Sequence, residues 1–142
     1  MTPSAIIDAN VFLEVVLKRA GYEQAREALE RHVRNAPLLC LSECANVLGM
    51  AARNGTLSVA DATETMAFIR SSVAILPDDH LYGRIVELSV VANHHAYDAV
   101  YVALAEAQDL PLLTFDRELV RKFRRVVPDV ALVDLNNEDA LP

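Results

Sequence analysis

The feature of this sequence that most constrains its fold is a series of short apolar segments separated by helical patterns. The segments have no alternating polar face, which predicts strands that are covered on both sides of a sheet. Five such strands are predicted, at residues 4–9, 38–41, 73–76, 112–114 and 130–133. Because helical crossovers join parallel strands, we predict an α/β fold, a three-layer α/β/α sandwich around a five-stranded parallel sheet.

Capping residues and stop signals predict about seven helices between these strands. Ser42 is predicted to cap a helix that carries Glu43 and ends near Gly55. The segment from Ser58 to Asp61 has the spacing of a capping box, with Asp in place of Glu, and opens another helix. The other helical patterns begin near residues 11, 23, 77, 97 and 116.

The size of the chain predicts a single domain over residues 1–142, because 142 residues that are 53% apolar can bury one sizeable core. No window approaches the roughly 18 consecutive apolar residues of a membrane-spanning helix. The first residues lack the basic region that begins a secretory signal, so we expect a cytoplasmic protein. Cys40 and Cys44 are the only cysteines, which excludes a disulfide scaffold.

Acidic side chains occupy the positions at which predicted strands end. Asp8 ends the first strand, Glu43 follows the second by two residues, and Asp116 follows the fourth. Asp98 lies in the first turn of the helix before that fourth strand. In an open parallel sheet the carboxyl ends of the strands border one crevice. The four carboxylates are therefore expected to converge on one end of the sheet.

A cluster of carboxylates requires a compensating cation. Two carboxylates about 4 Å apart repel by roughly 4 kcal/mol at an effective dielectric constant near 20. Oxygen ligands without a convincing His or Cys set select a hard divalent ion, Mg²⁺ or Mn²⁺, which also recruits phosphate oxygens of a substrate. Such an ion activates water and neutralises charge on a phosphodiester. The acidic residues therefore predict metal-assisted phosphodiester hydrolysis.

The distribution of charge contains one basic segment on an acidic chain. The net charge is −7, which argues against simple nucleic-acid binding unless a cation bridges the two partners. Residues 116–125 hold five basic side chains against two acids. Within this predicted helix Arg117, Arg121 and Arg124 recur on one face. We interpret them as contacts to an RNA backbone, with a merely solvated face as the alternative.

Four blocks of sequence resemble the signature blocks of a known family. They are Ile-Ile-Asp-Ala-Asn-Val-Phe-Leu-Glu at 6–14, Ser-Glu-Cys-Ala-Asn-Val-Leu at 42–48, Tyr-Asp-Ala-Val-Tyr-Val-Ala-Leu-Ala-Glu at 97–106 and Leu-Leu-Thr-Phe-Asp-Arg-Glu-Leu at 112–119. In this order they look like the blocks of PIN-domain nucleases, above all the VapC toxins of bacterial and archaeal toxin–antitoxin pairs. The resemblance implies a Mg²⁺- or Mn²⁺-dependent endoribonuclease, a homodimer, and a VapB-type antitoxin that blocks the acidic cleft.

The resemblance also assigns roles to individual residues. Asn10 falls at the small polar position two residues after the first acid, where it orients that acid or a bound water. Thr114 matches the Ser or Thr before the last acid, and Phe115 replaces the small residue often found between them. The family's acidic quartet is matched by Asp8, Glu43, Asp98 and Asp116.

Simpler structural roles stay open for several acids. Asp98 and Asp116 would also stabilise the first turn of a helix, and Glu43 has a capping explanation behind Ser42. Asp8 ends an apolar strand, where an unpaired charge is costly, so metal ligation is the better interpretation there.

Other polar and aromatic residues receive structural interpretations. His94 and His95 are predicted to form a polar helix terminus, because adjacent residues at a helix end face different directions. Tyr101 is predicted to fill the core, and the two cysteines to be buried thiols. Asn46 lies one turn after the second acid and either supports the site or is an exposed amide.

Two other function classes remain open. A phosphoacceptor receiver domain is also a doubly wound α/β fold, but its acceptor aspartate follows a central third strand and a lysine follows its fifth. Here Pro77-Asp78-Asp79 follows the third predicted strand, and no lysine follows Val133. The second alternative is a non-catalytic module whose acidic cleft receives a basic peptide; metal-dependent RNA cleavage separates it from a nuclease.

Overall fold

A five-stranded parallel sheet forms the centre of the molecule, which confirms the predicted architecture. The structure is a computed structural model and describes residues 1–141. The strands are β1 Ser4–Ile7, β2 Val33–Ala36, β3 Ala74–Ile75, β4 Leu112–Thr114 and β5 Leu132–Asp134. They run in the order β3-β2-β1-β4-β5, and every neighbouring pair is parallel.

Within residues 1–141, seven α-helices pack around the sheet, in agreement with the number predicted. They are α1 Ala9–Val16, α2 Tyr22–Arg31, α3 Leu39–Arg53, α4 Val59–Ser72, α5 Tyr82–Ala92, α6 Ala96–Gln108 and α7 Arg117–Phe123. Across residues 1–141, every helix is too short or too polar to cross a membrane.

The strand β1 and the helix α6 occupy the middle of the core. Ile6 and Ile7 of β1 are fully buried between the two neighbouring strands. Residues 99–105 of α6 are all buried, which a helix shows only when it is covered on every side. The helix α5 packs along α6, and α6 also contacts β1. The first turn of α6 is therefore held in a fixed position relative to the end of β1.

The second predicted strand is wrong. Residues 38–41 are not extended, because the helix α3 begins at Leu39. Cys40, Cys44 and Leu48 are buried at intervals of four residues, which is the period of one helix face. The apolar run at 38–41 is thus the first turn of an amphipathic helix, and the true strand lies five residues earlier.

Two polar side chains disguise the true second strand, β2. Arg34 donates through Nε to the carbonyl of Ser72 at 2.7 Å and through Nη1 to the carbonyl of Leu29 at 2.9 Å. Asn35 donates through Nδ2 to the carbonyl of Ala5 at 3.3 Å. Because polar groups in a buried strand need such partners, and Ser72 and Ala5 are distant in sequence, local periodicity does not reveal this strand.

The earlier start of α3 changes the position of two predicted residues. Ser42 lies inside the helix, and the N-cap position is taken by Leu38. Glu43 consequently lies on the second turn of the helix and does not directly follow a strand in the chain. The predicted end of the helix is confirmed, with Asn54 as the C-cap and Gly55 at φ +80°, a conformation that favours glycine.

The other boundaries hold or move by a few residues. The Ser58 hydroxyl accepts a hydrogen bond from the backbone N–H of Asp61 at 3.0 Å, which confirms the capping box. The helix predicted from residue 77 begins with a 3-10 turn at Asp79–Leu81 before α5. The fifth strand lies at 132–134, two residues later than predicted.

The strand order bears on the receiver alternative. The third strand, β3, lies at one edge of the sheet and pairs only with β2 among the strands of residues 1–141. A receiver needs its acceptor aspartate after a central third strand. The topology therefore does not provide the position that a receiver uses.

Candidate active site

Asp8 and Asp116 lie close together because β1 and β4 are neighbours at the centre of the sheet. Ile7 pairs with Leu113 in the parallel register, and the backbone N–H of Asp8 donates to the carbonyl of Leu113 at 3.1 Å. Asp8 is the first residue after β1, and Asp116 is the second residue after β4. The two acids thus leave the same edge of the sheet, as predicted from the strand ends.

Thr114 and Asn10 hold the carboxylate of Asp8. The hydroxyl of Thr114, which is fully buried, donates to Asp8 Oδ2 at 2.7 Å. The amide of Asn10 donates to the same oxygen at 3.2 Å, while its Oδ1 accepts the backbone N–H of Phe115 at 3.2 Å. Asn10 therefore orients Asp8 directly and also fixes the loop after β4.

The same hydroxyl connects Asp8 to Asp116. Thr114 Oγ1 accepts the backbone N–H of Asp116 at 3.0 Å. Asp116 Oδ1 accepts the backbone N–H of Leu119 at 3.0 Å and caps α7. Within residues 1–141 no group donates a hydrogen bond to Asp116 Oδ2, so the capping role occupies one oxygen and leaves the second for another ligand.

A glycine makes room for Phe115 beside this loop. A Cβ atom placed on Gly21 would lie 2.7 Å from Cε1 of Phe115. Cβ atoms in proteins are essentially never found closer than 3.0 Å to such a neighbour. The backbone N–H of Gly21 also donates to Glu14 Oε2 at 2.8 Å. The large residue at 115 is therefore accommodated by the absence of a side chain at position 21.

Glu43 reaches the site from α3 and is held by a tyrosine. The Tyr101 hydroxyl donates to Glu43 Oε1 at 2.5 Å. Burial raises the pKa of Tyr101, so this hydroxyl keeps its proton and remains a donor. Burial also raises the pKa of Glu43, and the hydrogen bond opposes that rise. Tyr101 fills the core, as predicted. Its contact with Glu43 was not predicted. The signal for it in the sequence is that Tyr101 lies three residues after Asp98, and so on the same face of a helix.

Two histidines contact Asp98, and the sequence prediction for them is wrong in one respect. His94 Nε2 lies 2.5 Å and His95 Nε2 lies 3.4 Å from Asp98 Oδ2. The prediction assumed helical geometry, in which adjacent side chains diverge. Asn93 adopts a left-handed conformation at φ 50°, and His95 is extended, so both imidazoles turn toward the first turn of α6.

The acidic residues influence one another electrostatically. Burial raises the pKa of Asp8 to about 7, and the hydrogen bond from Thr114 opposes this rise. The negative charges of the three other acids raise it further, and these are Glu43, Asp98 and Asp116. The three neighbouring carboxylates therefore disfavour the ionised form of Asp8, which is the most deeply buried of the four. A cation bound among the carboxylates would favour the ionised form instead.

The donor set of the quartet suits a hard divalent cation. Carboxylate oxygens are the ligands that Mg²⁺ and Mn²⁺ prefer, and the unfavourable charge of Asp8 is what such an ion compensates. The four carboxylates are not the potential metal ligands that lie closest together, however. Among the residues described, the ligand atoms of His94, His95 and Asp98 form the group of potential ligands within 4.8 Å of one another.

The arginines predicted to contact RNA lie together on α7 and at its C-cap, Arg124. Arg117, Arg121 and Arg124 line a shallow depression of about 340 Å³, together with Arg125 and Asp134. Arg121 also pairs with Glu118 on the same helix. The helix starts immediately after Asp116, so this basic surface lies on the element that the acidic residue caps.

The remaining sequence-predicted residues have no visible role at the site. Cys40 and Cys44 are fully buried, as predicted, and a hydrogen bond with Cys44 together with burial raises the pKa of Cys40. Cys40 therefore stays protonated near neutral pH. Asn46 is exposed on α3, which favours the second of its two predicted interpretations.

The chain matches one family of protein domains along most of its length. The family model described as PIN domain matches residues 5–126. Ribonuclease VapC9 of Mycobacterium tuberculosis (strain ATCC 25618 / H37Rv) is 36% identical over 115 residues, which cover 80% of this chain and 87% of that protein. Ribonuclease VapC3 of Pyrobaculum aerophilum is 31% identical over 127 residues, which cover 86% of this chain and 96% of that protein.

Solved structures show the same fold. The crystal structure of PAE2754 from Pyrobaculum aerophilum has a TM-score of 0.69 and 28% identity, and the match covers 86% of each chain. A toxin–antitoxin complex from Klebsiella pneumoniae has a TM-score of 0.67 and 22% identity, and covers 90% of this chain and 96% of that one. At that identity the second match supports the fold alone.

Proposed function

Because this chain belongs to the PIN domain family, we propose that it is a metal-dependent endoribonuclease and the toxin of a VapBC-type toxin–antitoxin pair. The reaction would be hydrolysis of RNA phosphodiester bonds. Relatives over most of the chain are named VapC ribonucleases, which supports this substrate class. The observation that carries the proposal is the placement of Asp8 and Asp116 on adjacent strand ends, joined through Thr114.

The acidic quartet would hold the catalytic metal. Its members are Asp8, Glu43, Asp98 and Asp116, and one or two Mg²⁺ or Mn²⁺ ions fit this all-oxygen set. When bound, such an ion supplies positive charge to the phosphate and lowers the pKa of water. In hydrolysis the water oxygen bonds to phosphorus, the bond to the leaving ribose oxygen breaks, and that oxygen receives a proton.

The surrounding residues would keep the carboxylates in place. Thr114 and Asn10 direct Oδ2 of Asp8 by two hydrogen bonds, and Tyr101 directs Oε1 of Glu43 by one. Groups that orient ligands in this way usually change metal affinity by 10- to 100-fold when they are removed. We assign these three residues a supporting role and no part in bond making.

The basic face of α7 would bind the RNA backbone. Arg117, Arg121 and Arg124 border one depression and follow Asp116 directly in the chain. Contacts of arginine to phosphate position a nucleic acid without reading its sequence. This arrangement would let an acidic protein of net charge −7 receive a polyanion beside its metal site.

The partners follow from the same family membership. We propose a VapB-type antitoxin as the protein partner, and a homodimer as the assembly, because the relatives are named VapC ribonucleases. We further propose that residues 1–142 form one PIN domain that acts in the cytoplasm.

The substitution Asp8→Asn tests the proposed reaction. It keeps the size and the hydrogen-bond acceptor of the side chain but removes the charge that a metal requires. RNA cleavage in Mg²⁺ or Mn²⁺ should fall by at least about 100-fold, the upper end of the effect of orienting groups. The matched control is Asp79→Asn, since the Asp79 side chain is 94% exposed and distant from β1 and β4 in the chain.

Two outcomes would contradict this proposal. Cleavage by the Asp8→Asn protein at the parent rate would remove the acidic quartet from the reaction. Absence of any metal-dependent cleavage of RNA by the purified parent protein would favour the non-catalytic module, whose acidic cleft only receives a basic peptide.

A further inference from the structure

We propose that His94, His95 and Asp98 form a second metal site, which takes a transition-metal ion of the Zn²⁺ class through two nitrogens and one oxygen. The site lies beside the acidic quartet and shares Asp98 with it. It does not depend on RNA cleavage, and it would exist in a protein of this structure that cleaved nothing.

The geometry of the three ligand atoms carries the proposal. His94 Nε2 lies 2.5 Å and His95 Nε2 lies 3.4 Å from Asp98 Oδ2, and all three atoms lie within 4.8 Å of one another. The imidazole rings are 4.4 Å apart between centroids and tilted by 30°. Two imidazoles directed at one carboxylate oxygen place three potential ligands around one point.

The chain holds these side chains in position from several directions. The carbonyl of His94 accepts a hydrogen bond from the Ser89 hydroxyl at 2.5 Å, and its ring packs edge-on against Phe123 with centroids 5.6 Å apart. The left-handed residue Asn93 accepts a hydrogen bond from Lys122 Nζ at 3.0 Å through its carbonyl. The helices α5 and α7 therefore both fix the segment before α6.

The ligand types favour an ion other than Mg²⁺. Neutral imidazole nitrogen suits Zn²⁺, Co²⁺ and Ni²⁺, whereas Mg²⁺ prefers oxygen alone. The side chain of His94 is 9% exposed and that of His95 is 59% exposed, so the site opens to solvent on one side. Three protein ligands with one open position are a common arrangement for Zn²⁺.

Sharing of Asp98 has a functional consequence, and this part rests on the proposed function. An ion bound to the two histidines would engage the carboxylate that the quartet needs for Mg²⁺. Zn²⁺ should therefore lower the affinity of the quartet for Mg²⁺ and slow cleavage. Replacement of His95 should relieve that inhibition, so that Zn²⁺ slows the variant less than it slows the parent protein.

Titration of the purified protein with Co²⁺, followed by visible absorption, tests the site without any activity assay. Co²⁺ replaces Zn²⁺ in such sites, and its absorption reports nitrogen ligation. We expect one equivalent of Co²⁺ to bind to the parent protein and Zn²⁺ to displace it. His95→Ala should weaken Co²⁺ binding by at least about tenfold, because loss of a ligand exceeds loss of an orienting group.

Control variants separate this site from the quartet. His80→Ala removes another exposed histidine beside an aspartate, Asp79 at 4.0 Å, and should leave Co²⁺ binding unchanged. Asp8→Asn alters the quartet and should also leave it unchanged. His94→Gln provides a second test of the site, with circular dichroism to verify folding because its ring packs on Phe123.

Three results would overturn the proposal. Equal Co²⁺ affinity of the parent and His95→Ala proteins would show that the histidines only donate hydrogen bonds to Asp98. Loss of the Co²⁺ spectrum in Asp8→Asn but not in His95→Ala would place the ion in the quartet. Failure of Zn²⁺ to displace Co²⁺ would exclude the class of ion. If the parent protein binds Co²⁺ as expected but does not cleave RNA, the proposed function is contradicted and the histidine site is not.

Discussion

The burial of Asp8 predicts that neutralising this residue stabilises the metal-free protein. Asp8→Asn removes the negative charge and keeps an oxygen that can accept the Thr114 hydroxyl. The new amide group would lie near three other carboxylates, which raise the pKa of Asp8 in the parent protein. The variant that should abolish cleavage should therefore also unfold less readily.

The magnitude follows from the pKa of Asp8. Folding raises that pKa from 3.8 to about 7, and one pKa unit corresponds to about 1.4 kcal/mol, so ionised Asp8 costs the fold roughly 4 kcal/mol. Because the folded-state pKa is the higher one, the folded protein binds the proton more tightly. The free energy of unfolding therefore falls as pH rises from about 4 to about 7 and is constant above that range with respect to this group.

Urea denaturation in EDTA measures this effect. At pH 8 the Asp8→Asn protein should exceed the parent in free energy of unfolding by about 1–4 kcal/mol, the upper value being the full cost from the pKa. At pH 5 more than half of that difference should be absent. Added Mn²⁺ should stabilise the parent more than the variant, because a ligand that binds only the folded state stabilises it.

Asp79→Asn again serves as the control, and its free energy of unfolding should change little at either pH. A variant that is less stable than the parent at pH 8 in EDTA would refute the reasoning. So would a difference between Asp8→Asn and the parent that is the same at pH 5 and pH 8, because the effect would then not arise from ionisation of Asp8.

Three further substitutions test packing, orientation and RNA contact. Gly21→Ala should destabilise the fold by about 1–3 kcal/mol, because its Cβ would lie 2.7 Å from Phe115, and urea denaturation measures this change. Tyr101→Phe should lower Mn²⁺ affinity by about 10- to 100-fold in calorimetry, because Glu43 loses its hydrogen-bond donor. Arg121→Ala should reduce the salt dependence of RNA binding by about 0.7 in the logarithmic slope, measured by fluorescence anisotropy.

Two comparison variants isolate the cause of the Gly21→Ala effect. Gly83→Ala adds a Cβ that meets no atom within 4 Å, on a helix, and should stabilise the fold by about 0.5–1 kcal/mol. Phe115→Leu combined with Gly21→Ala should recover part of the lost stability. Unchanged Mn²⁺ affinity in Tyr101→Phe, or an unchanged salt slope in Arg121→Ala, would contradict the assigned role.

The parts of the fold that the sequence predicts are those that depend on local patterns. The strands β1 and β4 are mostly apolar, and an acid follows each of them within two residues, so their position and the convergence of Asp8 and Asp116 follow directly. The Ser58 capping box is equally local, since its hydrogen bond spans three residues. Patterns of this kind need no knowledge of what lies across the sheet.

The parts that the sequence does not reveal depend on contacts between distant residues. The strand β2 contains Arg34 and Asn35, and their partners at Ser72 and Ala5 exist only after folding. The apolar run at residues 38–41 has no alternation, so its length alone does not distinguish a strand from the first turn of α3. The apolar residues from Cys40 onward recur with the period of a helix, and this longer pattern distinguishes a helix from a strand.

The histidines beside Asp98 show a similar limit. Their directions depend on the left-handed conformation of Asn93, and Asn is one of few residues that adopt it readily. A helix that ends at Asn93 leaves His94 and His95 outside the regular helix. Helical geometry then does not determine the directions of their side chains. Sequence spacing alone assumes a regular backbone and gives diverging side chains.

The link from Asp8 through Thr114 to Asp116 joins distant parts of the chain, since the hydroxyl and the first acid are 106 positions apart. A ribosome must therefore release β4 before this strand can pair with β1 and bring these residues together. A nascent chain interrupted before β4 would contain Asp8, Glu43 and Asp98 but would lack Asp116. The proposed activity therefore requires a chain that includes β4, and fragments that end before β4 should not cleave RNA.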